Sequence, residues 1–284
     1  MIGVRGPMSR LTFREKAGAV CWQKQRRDRY LAEGVPPVPH LDVKRAIVRP
    51  ISRAQAEQVI LKYEWLGTMS PTSLHFGIFY GNYCAGVTCV GFGASMAGAY
   101  HADQFGIGTG DLLTLARGAC AHWAPSHSNS KLIGWTCRMV GARGKLMWAT
   151  CDTDAGEIGT IYQACNFVYI GASDGVTRAD REIVAPSGRV YNQRSIGGWA
   201  KTRKVRYESM KGALLDNGWS FQPGNPKHRY VYLLDRSDRG LVSRIESMRR
   251  PYPKRVRSAE NGTAGTTSRG RCDSDPDAPT ASTA

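Results

Sequence analysis

Asp152 and Asp154 stand in the run Cys151-Asp152-Thr153-Asp154, directly after a short apolar stretch. A carboxylate at the end of a buried strand can accept a proton or orient an attacking amine. Asp154 also suits a helix cap, so Asp152 is the better catalytic candidate. Tyr162, further on, carries a hydroxyl that can act as an acid toward a leaving thiolate or satisfy a polar group at the core edge. A second constellation runs from Leu113-Thr114-Leu115-Ala116-Arg117 to Ser128-Asn129-Ser130-Lys131. There a strand ends and a helix opens. The free amides of that helix start, two hydroxyls, a carboxamide and an ammonium make a cradle for phosphate or pyrophosphate, with Arg117 before it. The same residues also describe an ordinary capped helix with a solvated lysine. The third constellation is Glu64-Trp65 before Leu66-Gly67, where a carboxylate and an indole can sit over a flat acceptor such as a base. His75, His101, His122 and His127 are dispersed, and their spacing defines no metal site.

Regular elements must position these groups. Ser52 and Gln55 form a capping box for a helix that Gly67 stops. Residues 74–80 and 83–91 read as a hairpin around Gly81-Asn82, and residues 111–117 as the next strand. Six glycines between Gly91 and Gly110 mark a loop whose backbone can approach a ligand. Ser128 or Asn129 can cap a helix to about Val140 whose face is Leu132, Trp135, Thr136 and Met139. Lys145 to Cys151 reads as a buried strand. A helix from about Gly156 to Val168 follows, closed by Gly171. A further hairpin is expected at 176–184 and 189–196, a short helix within 212–221, and a last strand at 229–234. This order predicts an α/β fold, a mixed sheet flanked by helices. GxGxxG, GxxxxGK[ST] and HExxH do not occur.

The chain has 284 residues, with 39 Lys and Arg against 23 Asp and Glu, a formal charge of +16. Such an excess attracts polyanions, and nucleic acid is the commonest of these. It gathers at Arg10–Arg29, at Arg189–Lys211 and at Arg249–Arg257. The middle region holds Arg194, Lys201, Arg203, Lys204 and Arg206, interleaved with Tyr191, Trp199 and Tyr207. No apolar run has the length of a membrane helix. Eight cysteines without a CxxC pair argue for a reducing compartment, read as cytoplasmic. The Pro-rich break at 34–39 predicts a basic arm over 1–39, a folded body over 40–250 and a disordered tail over 251–284.

Several of these runs resemble one family. Glu64-Trp65-Leu66-Gly67, Phe76 to Asn82, Leu113 to Arg117, Ser128 to Gly134 and Cys151 to Ala164 look like the phage Mom family of DNA adenine-modification proteins. The likeness extends weakly to Arg189 to Ser195. The resemblance implies a fold like the GCN5-related N-acetyltransferases (GNAT), in which a splayed sheet and a helix start hold acyl-coenzyme A. It implies conversion of adenine N6 in DNA to a methylcarbamoyl-type amide, protecting phage DNA from restriction inside the infected host. It also implies double-stranded DNA and a small-molecule donor as partners, with acetyl-CoA or another CoA derivative and iron as the cofactors the family suggests. Ser130, Asp152 or Asp154, and Tyr162 match the family's polar positions. Glu64-Trp65 stands where the family often has His-Tyr.

On this reading a flipped adenine stacks near Trp65 or Tyr162, and Asp152 orients N6 and takes its proton. Ser130 and nearby amides hold the donor or an oxyanion, while Arg194, Lys201, Arg203, Lys204 and Arg206 hold phosphates. The alternatives are an acyltransferase acting on a small molecule or protein, and a non-enzymatic DNA-binding phage protein.

Overall fold

A computed structural model describes residues 42–64, 68–92, 101–153, 156–173, 182–188, 190–192, 194–223 and 226–254. The proposed arm, Trp65, Asp154, and the tail beyond 254 therefore lie outside the described residues.

The first elements follow local chemistry. Strand β1 (Ile47–Pro50) leads to helix α1 (Arg53–Tyr63). Ser52 caps α1 by accepting the Gln55 N–H at 3.2 Å, and Gln55 Oε1 accepts the Ser52 N–H at 3.0 Å. This is the expected capping box, worth about 1 kcal/mol. Strands β2 (Leu74–Tyr80) and β3 (Tyr83–Phe92) form the expected hairpin, turned at Gly81 with φ of 57°. Then come β4 (Leu112–Cys120), α2 (Ser128–Val140), β5 (Leu146–Asp152), α3 (Thr160–Ala164) and β6 (Val168–Ala172).

After β6 the chain builds β7 (Glu182–Val184), β8 (Val190–Asn192), α4 (Arg194–Arg203), α5 (Tyr207–Asp216) and β9 (Ser220–Gln222). It closes with β10 (Lys227–Leu233) and α6 (Arg239–Met248).

Seven strands form one sheet in the order β1-β2-β3-β4-β5-β10-β6. All neighbours are antiparallel except β4 and β5, which run parallel. This strand order with its single central parallel pair is the GNAT-like mixed sheet. Alternation along β5 sends Met147, Ala149 and Cys151 toward the α2 side, and Leu146 and Trp148 toward α6. Along β3, Thr88 faces α2 while Val87 and Cys89 face α1. The sheet thus lies between α2 with α3 on one face and α1 with α6 on the other, the layering that buries both apolar faces.

β6 and β10 are adjacent strands, yet residues 173–226 separate them in sequence. The described part of that excursion has its own sheet, β8-β7-β9, and its own core of Ile183, Ile196, Trp199, Ala200, Met210 and Leu214. Tyr191, Trp199 and Trp219 pack mutually with ring centroids 5.4 to 5.7 Å apart.

Several expectations need correction. The helix expected over 156–168 is only Thr160–Ala164. Asn166 turns left-handed at φ of 60°, and Phe167 and Val168 are drawn into the core. The residue before α2 is His127, which makes no side-chain cap; Ser128 and Asn129 already lie inside or at the helix start. The buried stripe of α2 is Leu132, Ile133, Thr136, Cys137 and Val140, with Trp135 and Met139 exposed. Both stripes have helical spacing, and only the sheet beneath selects one. The helix expected within 212–221 starts earlier, at Tyr207, and the chain after it forms β9. β1, β6, α4 and α6 were not expected at all; Gly197-Gly198 depress helix propensity in α4.

Candidate active site

The parallel pairing of β4 with β5 covers only Leu112–Leu146, Leu113–Met147 and Thr114–Trp148. Beyond Thr114, β4 pairs with β3 alone, and beyond Trp148, β5 pairs with β10 alone. The two strands therefore part and open a cleft inside the sheet. A β-bulge contributes: Cys89 opposes Arg117 and Val90 opposes Leu115, leaving Ala116 as the extra residue. A bulge bends its strand and raises local twist. Arg117 fixes this bend, donating to Ala116 O and Thr68 O, each at 2.8 Å. The guanidinium expected to hold a cofactor is thus engaged in shaping the cleft.

Asp152 ends β5 on the lip of this cleft. Lys227 lies directly opposite on β10, and its Nζ is 2.6 Å from Asp152 Oδ2. The chain then turns sharply through Gly156, at φ of 60°, and the Glu157 N–H donates back to Asp152 O at 3.2 Å. Glu157 Oε2 in turn accepts the Asp152 N–H at 3.3 Å. Sequence inspection passed over Glu157, because a lone glutamate after a glycine looks like loop solvation. The residue as a whole is partly exposed, but its carboxyl is desolvated. Burial above all, then the charges of Asp152 and Glu64, push its pKa up to about 7, against the Asp152 N–H and Lys227. A carboxyl with that affinity exchanges protons near neutrality, as a general base must.

Glu64 is 7% exposed and follows α1 as its cap. Its charge reaches Glu157, Tyr162 and Cys89, so it belongs to the same neighbourhood. Tyr162 packs against Phe167 and Tyr230 at 5.2 and 5.4 Å. Burial, reinforced by Cys151 and Glu157, drives its pKa well above the ordinary tyrosine value. It keeps its proton at neutral pH, and its hydroxyl can serve as a hydrogen-bond donor. Gly159, at φ of 73°, starts the turn into α3; a Cβ there would stand 2.3 Å from the Tyr230 ring. Tyr230 OH donates to Ile158 O at 2.5 Å and accepts from Gln163 at 3.1 Å, pinning this loop.

The start of α2 lies at a second feature. A groove of about 470 Å³ runs between α2, α3 and the turn at Val43–Arg45. Ser130, Lys131, Gly134 and Arg138 line one side, with Lys44 and Ala164 across it. Ser130 Oγ donates to His127 O at 3.0 Å. Lys131 Nζ donates to Val43 O at 2.8 Å and Lys44 O at 2.9 Å, so its ammonium ties this turn to α2. Ser128 is buried; its hydroxyl lies 2.6 Å from Tyr80 OH and donates to Pro125 O at 2.6 Å, a structural role. Asn129 Oδ1 is buried with no hydrogen-bond partner among the described residues. The structure thus gathers Glu64, Asp152, Glu157 and Tyr162 around the cleft, and places Ser130 and Lys131 in the groove on the α2–α3 side.

Lys201, Lys204 and Arg206 sit exposed on the segment between β6 and β10, with Arg203 partly buried and Arg194 at the start of α4. Arg249 is held bidentately by Glu246 at 2.7 Å.

The Mom protein family model matches residues 45–254. The chain belongs to this family. The match spans both the cleft and the unit between β6 and β10. Members are the DNA adenine-modification proteins whose likeness the sequence carries, and membership makes this protein a GNAT-like transferase of the acyl and adenine-modifying kind. Solved structures similar to the chain include an N-acetyltransferase from Staphylococcus aureus Mu50, at 8% identity, TM-score 0.37, covering 66% of this chain and 97% of that one. They also include FeeM, an N-acyl amino acid synthase from uncultured soil microbes, at 12% identity, TM-score 0.39, with 67% and 91% covered. A third is the ribosomal-protein-S18-alanine N-acetyltransferase from Escherichia coli, at 9% identity, TM-score 0.36, with 67% and 94% covered. No curated protein matched the sequence. The family assignment rests on the family model and the fold on the strand order itself. Among the described residues no helix is long and apolar enough to cross a membrane.

Proposed function

We propose that the protein transfers a methylcarbamoyl-type group from a coenzyme A-type donor to adenine N6 in double-stranded phage DNA, shielding that DNA from host restriction. The observation that carries this is the placement of Asp152 and Glu157 on the lip where β4 and β5 part, joined by the Glu157 N–H donating to Asp152 O and the Asp152 N–H donating to Glu157 Oε2.

Adenine N6 is a poor nucleophile because its lone pair is delocalised into the ring. It is also sequestered in the duplex, so the base must leave the stack. Asp152, fixed by Lys227, accepts a hydrogen bond from the N6 amino group and sets its direction of attack. Glu157 takes the proton that N6 loses as the N6–carbon bond forms and the donor's carbon–sulfur bond breaks, and passes that proton to the departing thiolate. Tyr162 donates a hydrogen bond to oxygen as negative charge grows on it.

A coenzyme A-type donor supplies an activated carbonyl when bound. The groove along α2 suits its phosphate end: Lys44, Lys131 and Arg138 line it, and Ser130 adds a hydroxyl. Asn129 Oδ1, buried and unpartnered, offers an acceptor for an amide or base N–H. Iron is a different matter. Among the described residues no three His, Cys, Asp or Glu side chains converge to hold a metal, and no step runs through one.

The deciding experiment is mass analysis of nucleosides from DNA co-expressed with the protein. A new adenine species, lost in Asp152→Asn, is the expected result. Unaltered adenine in DNA exposed to folded protein and a range of acyl-CoA donors would remove the reading.

A further inference from the structure

We propose that the turn joining α4 to α5, on the unit between β6 and β10, is the surface that grips the phosphate backbone of duplex DNA. The choice of duplex DNA rests on the adenine-modification reading; the surface itself rests on the following geometry.

Two ten-residue helices, Arg194–Arg203 and Tyr207–Asp216, are joined by only Lys204, Val205 and Arg206. They pack on each other and on β7 through a core that owes nothing to the cleft. A helix pair with so short a joint is the arrangement that presents one helix end to a nucleic acid groove. Here the joint and its approach are cationic. Lys201, Lys204 and Arg206 are all exposed, and Glu208 is the acid beside them. Several cations elsewhere on the fold are tied down. Lys227 pairs with Asp152, Lys145 with Asp238, and Arg249 with Glu246, while Arg117 serves Thr68 O and Ala116 O.

The backbone of the joint holds these charges in place. The Lys204 N–H donates to Lys201 O at 3.2 Å, and the Val205 N–H donates to Ala200 O at 3.0 Å. This pair of bonds is a Schellman closure, and it forces Lys204 into the left-handed region at φ of 55°. Glycine fills such a position with least strain, yet an ammonium stands there. Arg206 occupies the cap of α5 and makes no side-chain cap bond, so its guanidinium does nothing for the helix start that a serine would not do better. The first amides of α5 add their partial positive charge beside it.

This local geometry supplies a test that separates binding from folding. Lys204→Gly relieves a left-handed lysine, and Arg206→Ser installs a helix cap. The double variant should melt no lower than the wild type, while losing two cations. Its affinity for a duplex DNA oligomer at about 0.1 M KCl should fall at least tenfold. The slope of log K against log [KCl] should become shallower by nearly two, at about 0.9 per lost phosphate contact. Lys201→Gln, on the helix surface, should change the slope by about one without touching either special backbone position. Unchanged affinity and slope in these well-folded variants would overturn the proposal. So would a loss seen with duplex RNA of the same sequence but not with DNA. Tight, salt-dependent DNA binding by a wild type that leaves adenine unmodified would remove the transferase reading and leave this surface standing.

Discussion

Lys227 Nζ lies 2.6 Å from Asp152 Oδ2, across the register that pairs these two residues on β10 and β5. The pair fixes the Asp152 side chain at the cleft, and it also partly neutralises it. A carboxylate so engaged is suited to orient an amino group, and Glu157 beside it is better placed to take up a proton. Asp152→Asn should therefore lower adenine modification by a hundredfold or more, on the scale of a lost orienting and charge-stabilising group (roughly 3 kcal/mol). Duplex DNA affinity should change less than twofold. Nucleoside mass analysis and fluorescence anisotropy read the two effects separately.

The pH response should belong to Glu157. Its carboxyl is pushed up to about 7, chiefly by burial, so the basic form accumulates as pH rises through that value. Activity should climb between about pH 6 and 8, and Glu157→Gln should lose both the climb and most of the rate. Stability should move the other way. Unfolded glutamate loses its proton at lower pH than the folded residue, so the wild type loses stability as pH rises from about 4.5 to 7. Glu157→Gln should remove that slope and be more stable at pH 8, by about 2 kcal/mol. Urea denaturation at several pH values measures it.

Gly159 tests the loop that brings Glu157 and Tyr162 together. A Cβ there would meet both a left-handed backbone and the Tyr230 ring 2.3 Å away. Gly159→Ala should destabilise the fold by about 3 kcal/mol or more. Tyr230→Phe removes the bond to Ile158 O and should cost about 1 to 2 kcal/mol, with activity falling as the loop loosens.

Thr88 and Thr136 lock α2 to β3 through a buried hydroxyl pair at 2.7 Å. Thr136→Val strands one hydroxyl in the core and should cost about 1 to 3 kcal/mol. Thr88→Val with Thr136→Val removes both partners and should recover part of that loss, as a double-mutant cycle would show.

The groove along α2 makes a prediction about the donor. Coenzyme A should raise the melting temperature of the full chain, and Lys44→Glu should abolish the rise. A rise preserved in Lys44→Glu would place the donor elsewhere.

Local chemistry was enough to locate much of this protein from sequence. Ser52 with Gln55, Gly81, and the apolar runs of β3, β4 and β5 specify their elements through contacts a few residues apart, and a charge of +16 announces a polyanionic partner. Asp152 stood out because a carboxylate after a buried strand is a local pattern. The short reach of α3, the stripe that α2 buries and the tethering of Lys131 and Arg117 were not local. Each depends on what another element places opposite, such as Lys227 opposite Asp152 or Val43 O beside Lys131. Glu157 is the clearest case. Its residue type and neighbours look like solvated loop, and only the parting of two strands and the turn at Gly156 bring its carboxyl out of water beside two other acids, which is what gives it a proton affinity fit for chemistry.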